Sequence, residues 1–239
     1  MRFAVVQFGG SNCDRDVHHV VSDVCGVDCD LVWYKDGITR DYDAIVIPGG
    51  FSYGDYLRAG AIAARTPVME AIKQHAEAGK LVLGICNGAQ IGAETALVPG
   101  TFTTNATPKF ICRPVCLRVE TEDTPFTREY RTGEVIRIPI AHKEGRYVAP
   151  AETLRTLNAE KRVAFRFCDE QGNVTPAANP NGAAENITGV IGGNERNVLC
   201  MMPHPERASE EVLGSDDGRR IFTGMIRSIE DRENGKGQA

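Results

Sequence analysis

The stretch Leu81-Val82-Leu83-Gly84-Ile85-Cys86-Asn87-Gly88-Ala89-Gln90 decides the reading of this chain. Five apolar residues run without a polar break, as in a parallel strand buried on both faces. Helical composition follows at once, so strand and helix meet across a tight turn. Gly84-x-Cys86-x-Gly88 at that junction is the cysteine form of a nucleophile elbow. So tight a turn leaves no room for side chains two residues away, and it presents the central side chain at the end of the sheet. The N–H groups of the new helix favour a thiolate and a developing oxyanion. Cys86 is therefore the candidate nucleophile.

Outward from this elbow, apolar runs alternate with helical patterns. Strands are expected over 3–8, 30–34 and Ala44–Ile47, with helices over 14–24 and 67–78. Pro67 in a first turn and Gly79 just past the end suit a helix. This is an α/β pattern: a mostly parallel central sheet with helices on both faces. From 101 to about 166 the pattern changes. Strand-like segments at 110–120, 134–140 and 162–167 suggest a smaller antiparallel patch joined to that core. The last strands are expected at 187–191 and 197–201 with a hairpin turn at 192–195, then an amphipathic helix at 218–229 and a frayed polar tail at 231–239. No repeat or linker divides the chain, so residues 1–239 read as a single domain.

Composition narrows the functional classes. The 239 residues are 42% hydrophobic and 25% charged, with 27 Lys and Arg against 32 Asp and Glu, a net charge of −5. That balance is ordinary for a globular protein and disfavours a nucleic-acid binder. Apolar runs fall far short of the ~20 residues of a membrane span. The first apolar run is cut by Gln7 and Gly9-Gly10, unlike a signal peptide, so a cytoplasmic location is expected. The eight cysteines are then expected to be reduced. They form no CxxC; Cys25/Cys29 and Cys112/Cys116 are spaced at four, and no metal site is read from them.

A thiolate needs a base. Among five histidines, His75 lies in the polar part of a helix and reads as solvated, and at least one of His18 and His19 should face outward. His204 follows the last apolar strand in Met202-Pro203-His204-Pro205-Glu206-Arg207. Pro205 biases His204 toward extended backbone, where residues i and i+2 project to one side. Glu206 can then orient the His204 imidazole, giving a Cys86-His204-Glu206 triad. Pro48-Gly49-Gly50 ends the Ala44–Ile47 strand. Its bare backbone suits close approach to a ligand, and an N–H from this turn with that of Asn87 would make an oxyanion hole.

These pieces, in this order, resemble the class I (triad) glutamine amidotransferases: PGG, then GxCxGxQ, then a late HPE. Further stretches resemble one branch of that family, the glutaminase subunits of phosphoribosylformylglycinamidine synthase. They are Gly10-Ser11-Asn12-Cys13-Asp14-Arg15-Asp16, residues 51–58, 109–113, Ile140-Ala141-His142-Lys143-Glu144-Gly145, 182–187 and 201–207. The resemblance spans nearly the whole chain. It implies a flavodoxin-like fold and hydrolysis of glutamine to glutamate and ammonia through a Cys86 thioester. Gly49, Gly50, Asn87 and Gln90 would hold the oxyanion and the substrate. Ammonia would pass to an ATP-dependent synthetase subunit (PurL), with a small bridging subunit (PurS), to make formylglycinamidine ribonucleotide in purine biosynthesis. ATP and Mg²⁺ would belong to the synthetase, since no Walker-type loop occurs here. Lys143 stands where that family usually has Gly, Ala89 replaces a frequent aromatic and Gly9 a frequent Pro. At this level an amidotransferase for another acceptor, a Cys-His hydrolase of similar fold and a silent regulatory subunit stay open. So does the role of His142–Gly145.

Overall fold

The computed structural model describes residues 1–236. The chain runs β1 (Arg2–Gln7), α1 (Asp14–His19), β2 (Asp28–Trp33), β3 (Ala44–Ile47), α2 (Val68–Glu77), β4 (Leu81–Ile85) and α3 (Asn87–Glu94). It continues through β5 (Thr101–Thr103), β6 (Ile111–Val119), β7 (Val135–His142), β8 (Arg146–Val148), α4 (Ala151–Ala159) and β9 (Val163–Cys168). It ends with β10 (Ile187–Gly192), β11 (Val198–Met201) and α5 (Arg219–Lys236).

One nine-stranded sheet carries the fold, in the order β2-β1-β3-β4-β11-β10-β9-β6-β7. From β2 to β11 every pairing is parallel. From β11 to β7 every pairing is antiparallel. The antiparallel patch is thus a continuation of the main sheet. A separate two-stranded sheet joins β5 and β8. All residues of β3, β4 and β11 are buried, which explains their unbroken apolar sequence. On the edge strand β7, Ile136, Ile138, Ile140 and His142 are buried while Arg137 is exposed, the alternation of a strand covered on one face.

This topology creates the site. The chain leaves β1 toward β2 on one side, then returns to build β3, β4 and β11 on the other. Ligands in open α/β sheets bind beyond the carboxyl ends of strands at such a reversal. Gly9–Cys13 follow β1, Gly49-Gly50 follow β3, Cys86 follows β4 and His204 follows β11.

Several expectations change. The helix expected over 14–24 is α1 continued by a π-helical turn at Val20–Val24. Helix α4 is unexpected from sequence because Leu157 alone is buried on it. Strands β5 and β8 have three residues each, too short for a periodic signal. Helix α5 extends to Lys236, past the expected end at 229; of the polar tail expected to fray, 237–239 lie outside the described residues. His75 is not solvated. It is half-buried where α2 meets the start of β4, and burial pushes its pKa down to about 4. His19 is exposed, as expected. No helix among the described residues is long and apolar enough to cross a membrane.

Candidate active site

Cys86 sits in the left-handed region, with φ 50° and ψ −105°. For a residue with a Cβ this costs on the order of 1–3 kcal/mol and persists only where the surroundings enforce it. The enforcement is visible on both sides. A Cβ at Gly84 would lie 2.8 Å from the Gly88 carbonyl oxygen, and one at Gly88 only 1.9 Å from the Ile47 carbonyl oxygen. The Cys86 N–H donates to the Met201 carbonyl at 2.8 Å, tying the elbow to β11. Its thiol, 5% exposed, faces the Ala141 carbonyl at 3.6 Å.

His204 and Glu206 lie at the end of β11, both 2% exposed. Glu206 belongs to a 3-10 turn, Pro205–Arg207, rather than to extended chain. The turn still brings its Oε1 to 2.6 Å from His204 Nδ1. Nδ1–H donates to the carboxylate, and Nε2, without a hydrogen-bond partner, is left for another group. Burial opposes charge on His204, but the negative charges of Glu206 and Cys86 outweigh it and raise its pKa well above the ordinary value. The surroundings therefore favour the protonated form of the imidazole.

Two neighbours of this pair were not singled out by sequence. Arg207 Nη2 donates to Cys13 Sγ at 3.1 Å, and its Nε lies 4.0 Å from Glu206 Oε1. Cys13 is buried, and burial pushes its thiol pKa up. The signal was present in the GSNCD stretch after β1 and in the residue after Pro205-Glu206, but only the fold brings those stretches together. Gly49 makes the room: a Cβ there would lie 2.8 Å from His204 Cε1 and 3.0 Å from Cys13 Sγ. Cys13, His204 and Glu206 form a compact donor set whose ligand atoms lie within 4.8 Å of one another. The Arg207 guanidinium already supplies the positive charge there, so the set reads as a hydrogen-bonded cluster rather than a cation site.

Gly50 packs flush on the loop after β1; a Cβ would lie 2.6 Å from the Gly10 carbonyl oxygen. Asn87 opens α3, so its N–H has no partner within the helix. The Asn87 side chain accepts from Ser52 N at 3.1 Å and donates to Gln90 Oε1 at 3.0 Å. Gln90 Nε2 donates to the Glu144 carbonyl at 2.7 Å. Gln90 thus braces the 141–145 segment, and both ends of its amide are engaged. Glu144 in turn accepts from Ala59 N at 3.3 Å. Asp55 lies near Glu144, and burial, then that neighbouring charge, push its pKa up to about 6.

A large open cavity of about 1070 Å³ lies elsewhere, lined by Lys73, Thr95, Pro150, Arg162 and Val198 among others. Val198 and Val82 pair at the opposite end of the strands from Met201 and Ile85. Cys86, His204 and Glu206 do not line it, so volume alone does not point to the end of the sheet that holds the candidate site.

The CobB/CobQ-like glutamine amidotransferase domain model matches residues 1–220. Phosphoribosylformylglycinamidine synthase subunit PurQ of Methanosarcina acetivorans is 58% identical over 225 residues, 94% of this chain and 97% of that protein. The subunit of the same name from Aquifex aeolicus is 50% identical over 226 residues, 95% of this chain and 99% of that protein. Among solved structures, a chain of PurLQS from Thermotoga maritima matches with a TM-score of 0.83 at 43% identity, covering 95% of this chain and 98% of that one. Another glutamine amidotransferase from Thermotoga maritima, at 14% identity and a TM-score of 0.56 over 99% of this chain and 85% of that one, shares the fold. The chain belongs to the glutamine amidotransferase family, in its branch of phosphoribosylformylglycinamidine synthase PurQ subunits.

Proposed function

We propose that this chain is the glutaminase subunit of a phosphoribosylformylglycinamidine synthase, with Cys86 as nucleophile, His204 as acid and base, and Glu206 as the group that orients His204. The observation that carries this reading is the elbow cysteine at the end of β4 beside a buried imidazole–carboxylate pair at the end of the neighbouring β11. Cys86 Sγ attacks the side-chain carbonyl carbon of glutamine. The oxyanion is held by the N–H groups of Asn87 and Gly50, one such donor being worth about 10²–10³ in rate. His204, protonated through Nε2, gives its proton to the departing nitrogen as the C–N bond breaks, leaving a γ-glutamyl thioester and ammonia. His204 then takes a proton from water, which attacks the thioester and releases glutamate and the Cys86 thiol. Gly49 admits the His204 ring, and Gln90 shapes the pocket through Glu144 and Asn87.

Ammonia passes to a synthetase subunit (PurL), in a complex that also holds a small PurS subunit, for conversion of formylglycinamide ribonucleotide to its amidine. ATP and Mg²⁺ are assigned to the synthetase, and the working compartment to the cytoplasm. Residues 1–239 form one amidotransferase domain in this reading, supported by the continuous sheet. The near-closed thiol suits an enzyme that releases little ammonia when alone. Beside it, the loop after Gly50 holds Tyr53, Asp55 and Leu57 at positive φ and exposes Tyr56 and Leu57. This loop is the element that responds to docking in this reading.

The test is glutamate release by wild type and Cys86→Ala, alone and with synthetase subunits, ATP, Mg²⁺ and formylglycinamide ribonucleotide. Release that requires Cys86 and rises with the full set is expected. Release that survives Cys86→Ala refutes the nucleophile, and equal rates with and without partners refute the docking response.

A further inference from the structure

His142 is a buried histidine that the triad does not use. It ends β7, is 3% exposed, and its ring lies flat on Gly145, where a Cβ would come within 2.3 Å of Cε1 and Nδ1. The surrounding hydrogen bonds settle which ring nitrogen carries the proton. Asn105 Nδ2 donates to the carbonyls of Lys109 and His142 at 3.0 and 3.1 Å. Asn105 Oδ1 accepts from Gly145 N at 3.0 Å. Turning the amide over would set its NH₂ against an N–H and its oxygen against two carbonyls, so Oδ1 is an acceptor only. His142 Nδ1, 3.2 Å from that oxygen, must therefore be the N–H. Nε2 then carries the lone pair, and it is buried with no hydrogen-bond donor.

A buried acceptor without a donor points to a ligand that brings one. Its position says which. The preceding residue, Ala141, turns its carbonyl to the Cys86 thiol, and Glu144, two residues on, is held by Gln90 from the first turns of α3. The 141–145 segment therefore forms one wall of the space around the reacting sulfur.

We propose that the Nε2 lone pair of His142 receives a hydrogen bond from the ammonia released at Cys86, as the first station on its way to the synthetase. The inference rests on the glutaminase reading above. Ammonia must stay uncharged to remain a nucleophile, so its first partner has to accept an N–H without offering a proton. Burial, then the charged form of His204, push the His142 pKa down to about 4, and burial, the larger cause, persists once His204 has given up its proton, so the ring is neutral and has no proton to give from Nε2. His204 gives its proton to the leaving nitrogen, whereas His142 serves only as acceptor. It is a positioning residue for the product rather than a participant in bond breaking.

Two substitutions separate this role from a structural one. Asn at 142 can keep the hydrogen bond to Asn105 but does not reach the Nε2 position, whereas Gln reaches that position with an amide. The assay uses the full complex with glutamine and formylglycinamide ribonucleotide, and reads glutamate formed per amidine formed. It is run again with ammonium chloride in place of glutamine. For His142→Asn the ratio is expected to rise about three- to tenfold over wild type, the scale of one lost hydrogen bond. The ammonium-driven rate should not change, and His142→Gln should return the ratio part of the way. An unchanged ratio in His142→Asn overturns the proposal, as does an equal fall in ammonium-driven synthesis, which would mark a lost docking contact. A wild-type complex that releases no glutamate overturns the glutaminase reading itself.

Discussion

Replacing Gly88 by alanine sets two physical effects against each other. By helix propensity alone, Ala in α3 should stabilise the chain by about 1 kcal/mol relative to Gly. The fold reverses that sign. The new Cβ would stand 1.9 Å from the Ile47 carbonyl oxygen and 2.6 Å from the Ile47 carbonyl carbon. Ordinary contact begins near 3.4 Å, so α3 and the end of β3 must separate by more than 1 Å. Both partners are buried backbone, so no side chain can rotate away. Overpacking of this kind costs about 1–3 kcal/mol. In a chain of this size that lowers the melting temperature by about 3–10 °C. The two backbones pushed apart carry Gly49-Gly50 and Cys86, so the proposed nucleophile and oxyanion site lose register. A displacement near 1 Å costs about 10²-fold in kcat. The assay is glutamate release by the assembled complex beside a thermal melt. Gly9→Ala is the control: nothing lies within 4 Å of a Cβ there, and it should match wild type. A Gly88→Ala protein that melts at or above wild type with full kcat would refute the packing account of the elbow.

Three further outcomes follow from the geometry. Glu206→Gln keeps the shape but removes the charge that holds His204 protonated and oriented; kcat should fall about 10³–10⁴-fold with little change in KM, and a kcat within tenfold of wild type would refute the orienting role. His142 and His75 both have pKa values near 4 when folded and ordinary ones near 6.5 when unfolded. The unfolded chain therefore binds more protons between those values, and stability is lost as pH falls from about 6.5 to 4, by about 3 kcal/mol for His142. Urea melts at pH 7 and pH 5 check this, and His142→Asn should flatten the slope. Tyr56→Ser with Leu57→Ser alters exposed side chains, so the melting temperature of the isolated subunit should hold while the increase in glutaminase rate on adding the partner subunits falls; an unchanged increase would rule the loop out of docking.

Much of the fold was legible because its signals are local. Unbroken apolar runs marked Ala44–Ile47 and Leu81–Ile85 to the residue, since strands buried on both faces leave no polar position. The elbow was legible for a similar reason: Gly84 and Gly88 answer a steric demand made within a few residues of Cys86, although part of the clash at Gly88 comes from Ile47. His204 with Glu206 was readable because a proline-bounded loop keeps the two side chains together. By contrast, α4 was silent because Leu157 is its one fully buried residue, with Leu154 only partly buried against the core.

The sequence by itself determined the α/β class, the identity of the candidate nucleophile, base and acid, and the likeness to one amidotransferase branch. All of these rest on residue types at short spacings. Only the tertiary structure decided which distant segments share the site. The sheet reversal places the loops after β1, β3, β4 and β11 side by side, and so sets Cys13 and Arg207 against the His204–Glu206 pair. It likewise decided that His142 is buried, with Nδ1 held by Asn105 and Nε2 left without a partner. That state depends on burial and on an asparagine 37 residues away, and neither is written in the spacing of the motif.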